Sequence, residues 1–251
     1  MLSWSMNLFR IRGIQLAVHV TFFLLLAYVA YDGWQDQQLT GLVWSVITIL
    51  AFFACVVLHE LGHSFTAMHY GVGVSRILLM PIGGMAEFDS IPREPRKELL
   101  ITMAGPAVNF VLAALLWLPV HFWVNDGTAL YSPVGLLYQL FIANLVMGVF
   151  NLVPVFPMDG GRIFRAVLAS RMPYLKATRW AAHVGKVLAV AGMLIMLFWL
   201  HRTLGAILFL FIFMAGETEY RAVQRRELED AHWRAALERF YARPAAEPPL
   251  L

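Results

Sequence analysis

His59-Glu60-Leu61-Gly62-His63 sets two histidines four residues apart around a glutamate, at the end of a long apolar run. On a helix, residues at i and i+4 lie one turn above each other on one face, so both imidazoles can reach a single metal ion. Glu60, next to His59, can contact a metal-bound water without being a ligand itself. An ionisable group inside an apolar span costs about 2.5–3.5 kcal/mol on insertion scales and usually marks function. A lone histidine reads as packed or hydrogen-bonded, whereas two of them flanking Glu60 at this spacing read as a metal site.

A catalytic zinc takes three protein ligands and keeps one position open. The missing ligand is a carboxylate or another histidine at the same depth. Asp159 fits: it follows an apolar run, stands beside Gly160-Gly161 and has only Arg162 as an obvious nearby cation. The alternative for Asp159 is an N-cap of the basic segment that follows. His19, His69, His121, His183, His201 and His232 lack a motif or the depth and read as interfacial or core residues. Cys55 shares the face of His59, and buried packing is its expected role. As the only cysteine, it excludes an intrachain disulfide and a thiolate zinc cluster.

The elements that must position these groups belong to a membrane protein. Of the 251 residues, 60% are hydrophobic and 14% charged, against about 45–50% and about 25% in a soluble domain. Such an apolar excess cannot be buried in a water-soluble chain of this length, so the expected class is an all-α polytopic membrane protein with a lipid bilayer as its surroundings. The net charge of +3 is modest, and no nucleic-acid partner is expected. Arg10 and Arg12 before an apolar run resemble a signal peptide, but the run is long and lacks a small-x-small cleavage site, so it reads as a retained span.

Six spans are expected, at about residues 14–31, 39–69, 99–124, 129–158, 180–200 and 203–216, with the last two the shortest. Together, residues 1–216 form the membrane core, and 217–251 form a charged cytoplasmic tail. Segment 71–97, rich in glycine, proline and charge, reads as a small β-hairpin or a re-entrant segment after the second span. Arg10, Arg12, Arg76, Arg93, Arg96, Lys97, Arg162, Arg165, Arg171, Lys176, Arg179 and the tail arginines fall on one side; Arg202 faces the other. By the positive-inside rule both termini are cytoplasmic, in the cell membrane. The second span then delivers His59 to the inner boundary after about 30 Å, and the fourth delivers Asp159 to the same depth. From Glu217 to Arg243 the tail has six acidic and six basic residues, several at i,i+4 spacing. It reads as a solvated helix that Trp233, Leu237 and Phe240 lay along the membrane, ending in an unstructured stretch at 244–251.

Four motifs in order resemble the site-2 protease family of intramembrane zinc metalloproteases: His59-Glu60-Leu61-Gly62-His63, Pro81-Ile82-Gly83-Gly84, Ala104-Gly105-Pro106-Ala107-Val108-Asn109, and the run from Asn151-Leu152-Val153-Pro154 to Met158-Asp159-Gly160-Gly161. The resemblance covers about residues 14–216. It implies one zinc per chain on His59, His63 and Asp159, with Glu60 as catalytic base, and assigns Asn109 and Asn151 to positioning the substrate or its oxyanion. Buried amides that tie helices together are the other reading of those asparagines. With short loops and a short tail, the chain resembles a minimal form without an appended soluble domain.

The expected activity is hydrolysis of a peptide bond in or near the transmembrane segment of a membrane-anchored protein. A membrane helix presents no free carbonyl, because its backbone bonds are made internally, so the substrate must unwind. Strands at 75–82 and 85–88, turning at Gly83-Gly84, would offer an edge for an extended substrate; a re-entrant loop that only packs the metal helix is the alternative. A catalytically silent binder of membrane helices is the competing function, and an intact Glu60 argues against it. A metal transporter would string polar residues across the membrane, whereas here they gather at one face.

Overall fold

The computed structural model describes residues 4–89, 92–125 and 127–241. It opens on two antiparallel strands, β1 (Ser5–Ile11) and β2 (Ile14–His19). Residues 14–19 were expected to begin the first span, and the structure corrects this. Arg12 and Gly13 both have positive φ, 48° and 93°, the backbone of the two-residue mirror-image turn that matches strand twist. Ile14, Leu16 and Val18 then alternate along one buried face. Apolar composition let this run pass for a span, but its period is that of a strand.

The helix α1 (Thr21–His69) is interrupted at Gln37 (φ −135°, ψ 33°) and Gln38 (φ 50°, ψ −131°). The rings of Phe22 and Phe53 lie 4.7 Å apart, whereas a straight helix would separate them by about 46 Å. The element is therefore a hairpin of two antiparallel arms, 21–36 and 39–69. At its tip the Gly33 and Gly41 backbones touch, leaving no room for a Cβ on either. β3 (Val74–Met80) and β4 (Gly83–Phe88) follow, and the sheet runs β1-β2-β3-β4 with only β2 and β3 parallel. The expected hairpin is thus half of a four-stranded sheet. Its turn is Pro81-Ile82, so Gly83 and Gly84 belong to the edge strand and not to the turn. Ile14, Leu16, Val18, Ile77 and Leu79 pack against Phe22, Phe53, Val56 and Leu61 of α1, which fixes the sheet to the arm that carries the histidines.

α2 (Pro95–Trp123) and α3 (Pro133–Asn151) both begin with proline in the first turn, where the missing N–H costs nothing. The fourth span was expected to run to residue 158, but α3 stops at Asn151. Pro154 and Pro157 cannot donate to a helix, and the chain instead buries Val155 and Phe156 in a loop before α4 (Asp159–Ala169). α5 (Tyr174–Leu194), prolonged by a π-helical turn at Ile195–Trp199, and α6 (Thr203–Tyr241) complete the chain.

Five of these helices are long and apolar enough to cross a membrane; dividing α1 at Gln37-Gln38 makes six segments, the expected number. The last span and the tail, divided in sequence at residue 216, are one continuous helix. Trp233 and Leu237 are exposed on it, yet the tail is docked and not simply solvated: Glu227 and Asp230 reach Arg93 at 3.2 and 2.8 Å, and Glu219 reaches Arg165 at 2.6 Å. Residues 242–251, with the unstructured end expected at 244–251, and the Phe240 side chain lie outside the described residues.

Candidate metal centre

His59 and His63 occupy successive turns of α1 with their rings edge to face, centroids 4.7 Å apart. Asp159, the first residue of α4, meets them from the opposite side. His59 Nε2 and His63 Nε2 are 3.1 Å apart, and each lies 3.3 Å from Asp159 Oδ2. All three residues are buried, at 5%, 6% and 8% exposure, and Asp159 Oδ2 has no hydrogen-bond partner.

The other ring nitrogens show which protonation state this arrangement uses. His63 Nδ1 faces the Ile101 carbonyl at 2.8 Å, an atom that can only accept, so Nδ1 carries a proton and, in the neutral ring, Nε2 presents a lone pair. His59 Nδ1 meets Asn109 Oδ1 at 2.5 Å. Asn109 Nδ2 donates to Asn144 Oδ1 at 3.0 Å, and Asn144 Nδ2 donates to the Leu140 carbonyl at 2.8 Å. Starting from Leu140, whose oxygen can only accept, this chain orients both amides and leaves the Asn109 oxygen to accept from His59. With both rings neutral, two imidazole lone pairs and a carboxylate oxygen converge on one point, an arrangement that a cation among them satisfies. A tetrahedral ion about 2.0–2.1 Å from each ligand atom would separate those atoms by about 3.3 Å. These residues fit a zinc ion on donor type, tautomer and spacing.

Glycines make the approach possible. A Cβ on Gly105 would overlap the His63 ring and lie 2.8 Å from His59 Cε1, and one on Gly62 would lie 2.8 Å from the Ala104 carbonyl. α1 and α2 thus cross backbone to backbone at the two imidazoles. Gly160 and Gly161 do the same for Asp159: a Cβ on either would enter the 152–156 backbone. The Asp-Gly-Gly sequence is a close-packed helix start.

Glu60 lies within electrostatic reach of His59, His63, Asp159 and Arg162. Its side chain rests on β4, where a Cβ at Gly84 would stand 2.6 Å from Glu60 Cγ. Gly84 is therefore at the site, while Gly83 precedes it at φ 137° on a strand that pairs with β3 alone among the described residues. Asn109 is fully buried, and both ends of its amide are taken by His59 and Asn144, the helix-tying contact given above as its other reading. Asn151 is half-buried at the end of α3. Sequence reasoning missed Asn144, although a polar amide within an apolar run was a signal of the same kind as Glu60.

A model of the family described as Peptidase family M50 matches residues 47–125 and 119–192. The chain is similar to zinc metalloprotease MJ0392 of Methanocaldococcus jannaschii, at 42% identity over 89% of this chain and 62% of that protein's length. It is also similar to stage IV sporulation protein FB of Bacillus subtilis, at 27% identity over 84% of this chain and 69% of that protein. The solved site-2 protease from Methanocaldococcus jannaschii matches with a TM-score of 0.63 and 39% identity, over 86% of this chain and 95% of the solved one.

Proposed function

Because the chain belongs to Peptidase family M50, we propose that it is an intramembrane zinc endopeptidase that cuts membrane-anchored proteins in or near their transmembrane segment. The observation that carries this reading is the convergence of His59 Nε2, His63 Nε2 and Asp159 Oδ2 within 3.3 Å of one another, beside Glu60. The protein resides in the cell membrane with both termini cytoplasmic, a reading supported by the one-sided distribution of its basic residues.

His59, His63 and Asp159 hold one zinc per chain, and Asn109 and Ile101 keep the imidazoles in the tautomer that ligation needs. When bound, zinc polarises the scissile carbonyl and supplies a water of lowered pKa. Glu60 is the residue placed to take a proton from the attacking water and to return it to the departing amide nitrogen as the C–N bond breaks. β4 is the sheet's outer edge and passes Glu60 at Gly84, so an unwound substrate pairing along Gly83 and Gly84 brings its carbonyl to the base. Asn151, at the mouth of the 152–158 loop, is assigned to holding the substrate on the opposite side.

The test uses purified protein in liposomes with a single-span substrate. Glu60→Gln should abolish cleavage while zinc stays bound, and His59→Ala, His63→Ala and Asp159→Ala should each lose the metal. Unchanged zinc content in all three would refute the site, and undiminished cleavage by Glu60→Gln would refute the mechanism.

A further inference from the structure

Arg165 is the largest fully buried side chain among the described residues, 1% exposed, and takes no direct part in the chemistry above. It lies on α4, six residues after Asp159. Its Nε and Nη2 donate to Glu98 Oε1 on α2 at 2.9 and 2.5 Å, and its Nη1 donates to Glu219 Oε1 on α6 at 2.6 Å. The guanidinium carbon stands 5.2 Å from the ring of Phe156, in the loop before Asp159, and 5.1 Å from the ring of Tyr174 on α5. The Tyr174 hydroxyl also donates to Glu98 Oε1, at 3.3 Å. Burial disfavours the charge on Arg165, but Glu98, Tyr174 and Glu219 more than restore it, so the guanidinium stays protonated.

A buried ion pair is a poor source of net stability, because desolvating both charges offsets their attraction, and apolar residues of similar volume often hold helices together better. What a planar guanidinium adds is direction, since each N–H requires an acceptor at a set place. The places set here bracket the metal cluster. Glu98 lies one turn before Ile101, whose carbonyl orients His63. Arg165 and Phe156 lie on either side of Asp159 in the chain. The pair therefore sets the distance between the support of one ligand and the helix that bears another.

We infer that Arg165, held by Glu98 and by Glu219 of α6, is a positioning residue that fixes Asp159 against the histidine pair, so that the docked tail of α6 is coupled to metal retention. This inference rests on the zinc site proposed above. Glu219 is 33% exposed on its side chain, so the coupling can be weakened from the surface without opening the core.

The experiment measures zinc affinity and zinc release by competition with a chromogenic chelator, alongside thermal unfolding, on the full chain in detergent. Arg165→Lys keeps the charge but cannot reach Glu98 and Glu219 in the same fork. The Glu98→Met/Arg165→Met pair removes both buried charges and leaves an apolar contact. Both should bind zinc about 10–100-fold more weakly, the usual cost of losing a group that orients a ligand, with the double variant unfolding close to the parent temperature. Glu219→Gln should release zinc several-fold faster. Parental affinity in Arg165→Lys, or in a folded double variant, overturns the inference, because a merely structural pair would lower the unfolding temperature and leave affinity unchanged. Asp159→Asn is the control that separates the two readings: if it binds zinc as tightly as the parent, the metal site itself is misassigned.

Discussion

At the scale of single residues, the outer contacts of the two histidines matter as much as the histidines. Asn144 sits two hydrogen bonds behind His59 and touches neither metal nor substrate, yet it sets which end of the Asn109 amide faces the ring. Asn144→Leu should weaken zinc binding by about tenfold with little change in fold, measured by chelator competition; unchanged affinity would mean that Asn109 is oriented by something else. Gly105 is a steric counterpart. Gly105→Ala places a methyl against His63 and His59, so it should cost about 1–3 kcal/mol, as overpacked sites do, and lower zinc occupancy. A thermal melt and a metal assay on the same sample check both effects. His59, Glu60 and His63 could be read from their spacing, because helical periodicity alone puts them on one face. Asn144 and Gly105 could not be read in the same way, since their roles lie in what another helix presses against them.

At the scale of elements, the edge strand β4 is where the catalytic helix and the sheet meet. Gly84 is the one position at which the strand can pass Glu60 so closely. Gly84→Ala should therefore leave zinc binding intact and cut kcat on a single-span substrate at least tenfold, by displacing either Glu60 or the paired substrate. Parental kcat would show that the strand and the glutamate yield to each other at no cost. The sequence pointed to a hairpin here and missed the strands in front of it. Residues 14–19 carry the same apolar residue types as a span, and only their alternation and the Arg12-Gly13 turn distinguish them. The tail at 217–241 was legible as a helix from its charge spacing. Glu217–Arg221 forms as the i,i+4 rule expects, at 2.7 Å. Glu219, Glu227 and Asp230 instead reach partners far away in sequence, and Glu217 also pairs with Lys186 of α5.

At the scale of the whole molecule, the proposed layout of six crossings puts the two termini on one side. The turn at Gln37-Gln38 and the segment before α3 lie together at the other end, where the Tyr131 hydroxyl donates to Asp36 at 2.8 Å. In a Cys55→Ser background, cysteines placed at Arg10 and Arg225 should react with an impermeant reagent only from the cytoplasmic side, and one at Gln37 only from outside. Labelling of Arg10 and Arg225 positions from opposite sides would rule out the layout. Chelation should abolish cleavage, and zinc should restore it, because His59, His63 and Asp159 converge as a ligand set for one ion.

Taken alone, the sequence determined the membrane class, the helix with its two histidines and glutamate, and Asp159 as the third polar group at the same depth. Each of these follows from composition or from spacing within one element, which local backbone geometry converts directly into position. Only the tertiary structure decided that α1 doubles back at Gln37-Gln38, that a four-stranded sheet rests on its second arm, and that the last span and the tail are one docked helix. It alone set Asn109 against His59 and brought Glu98, Arg165 and Glu219 together. Those outcomes depend on which side chain finds which acceptor across tens of residues, and once the backbone is buried without water, such pairing is set by packing and not by sequence separation.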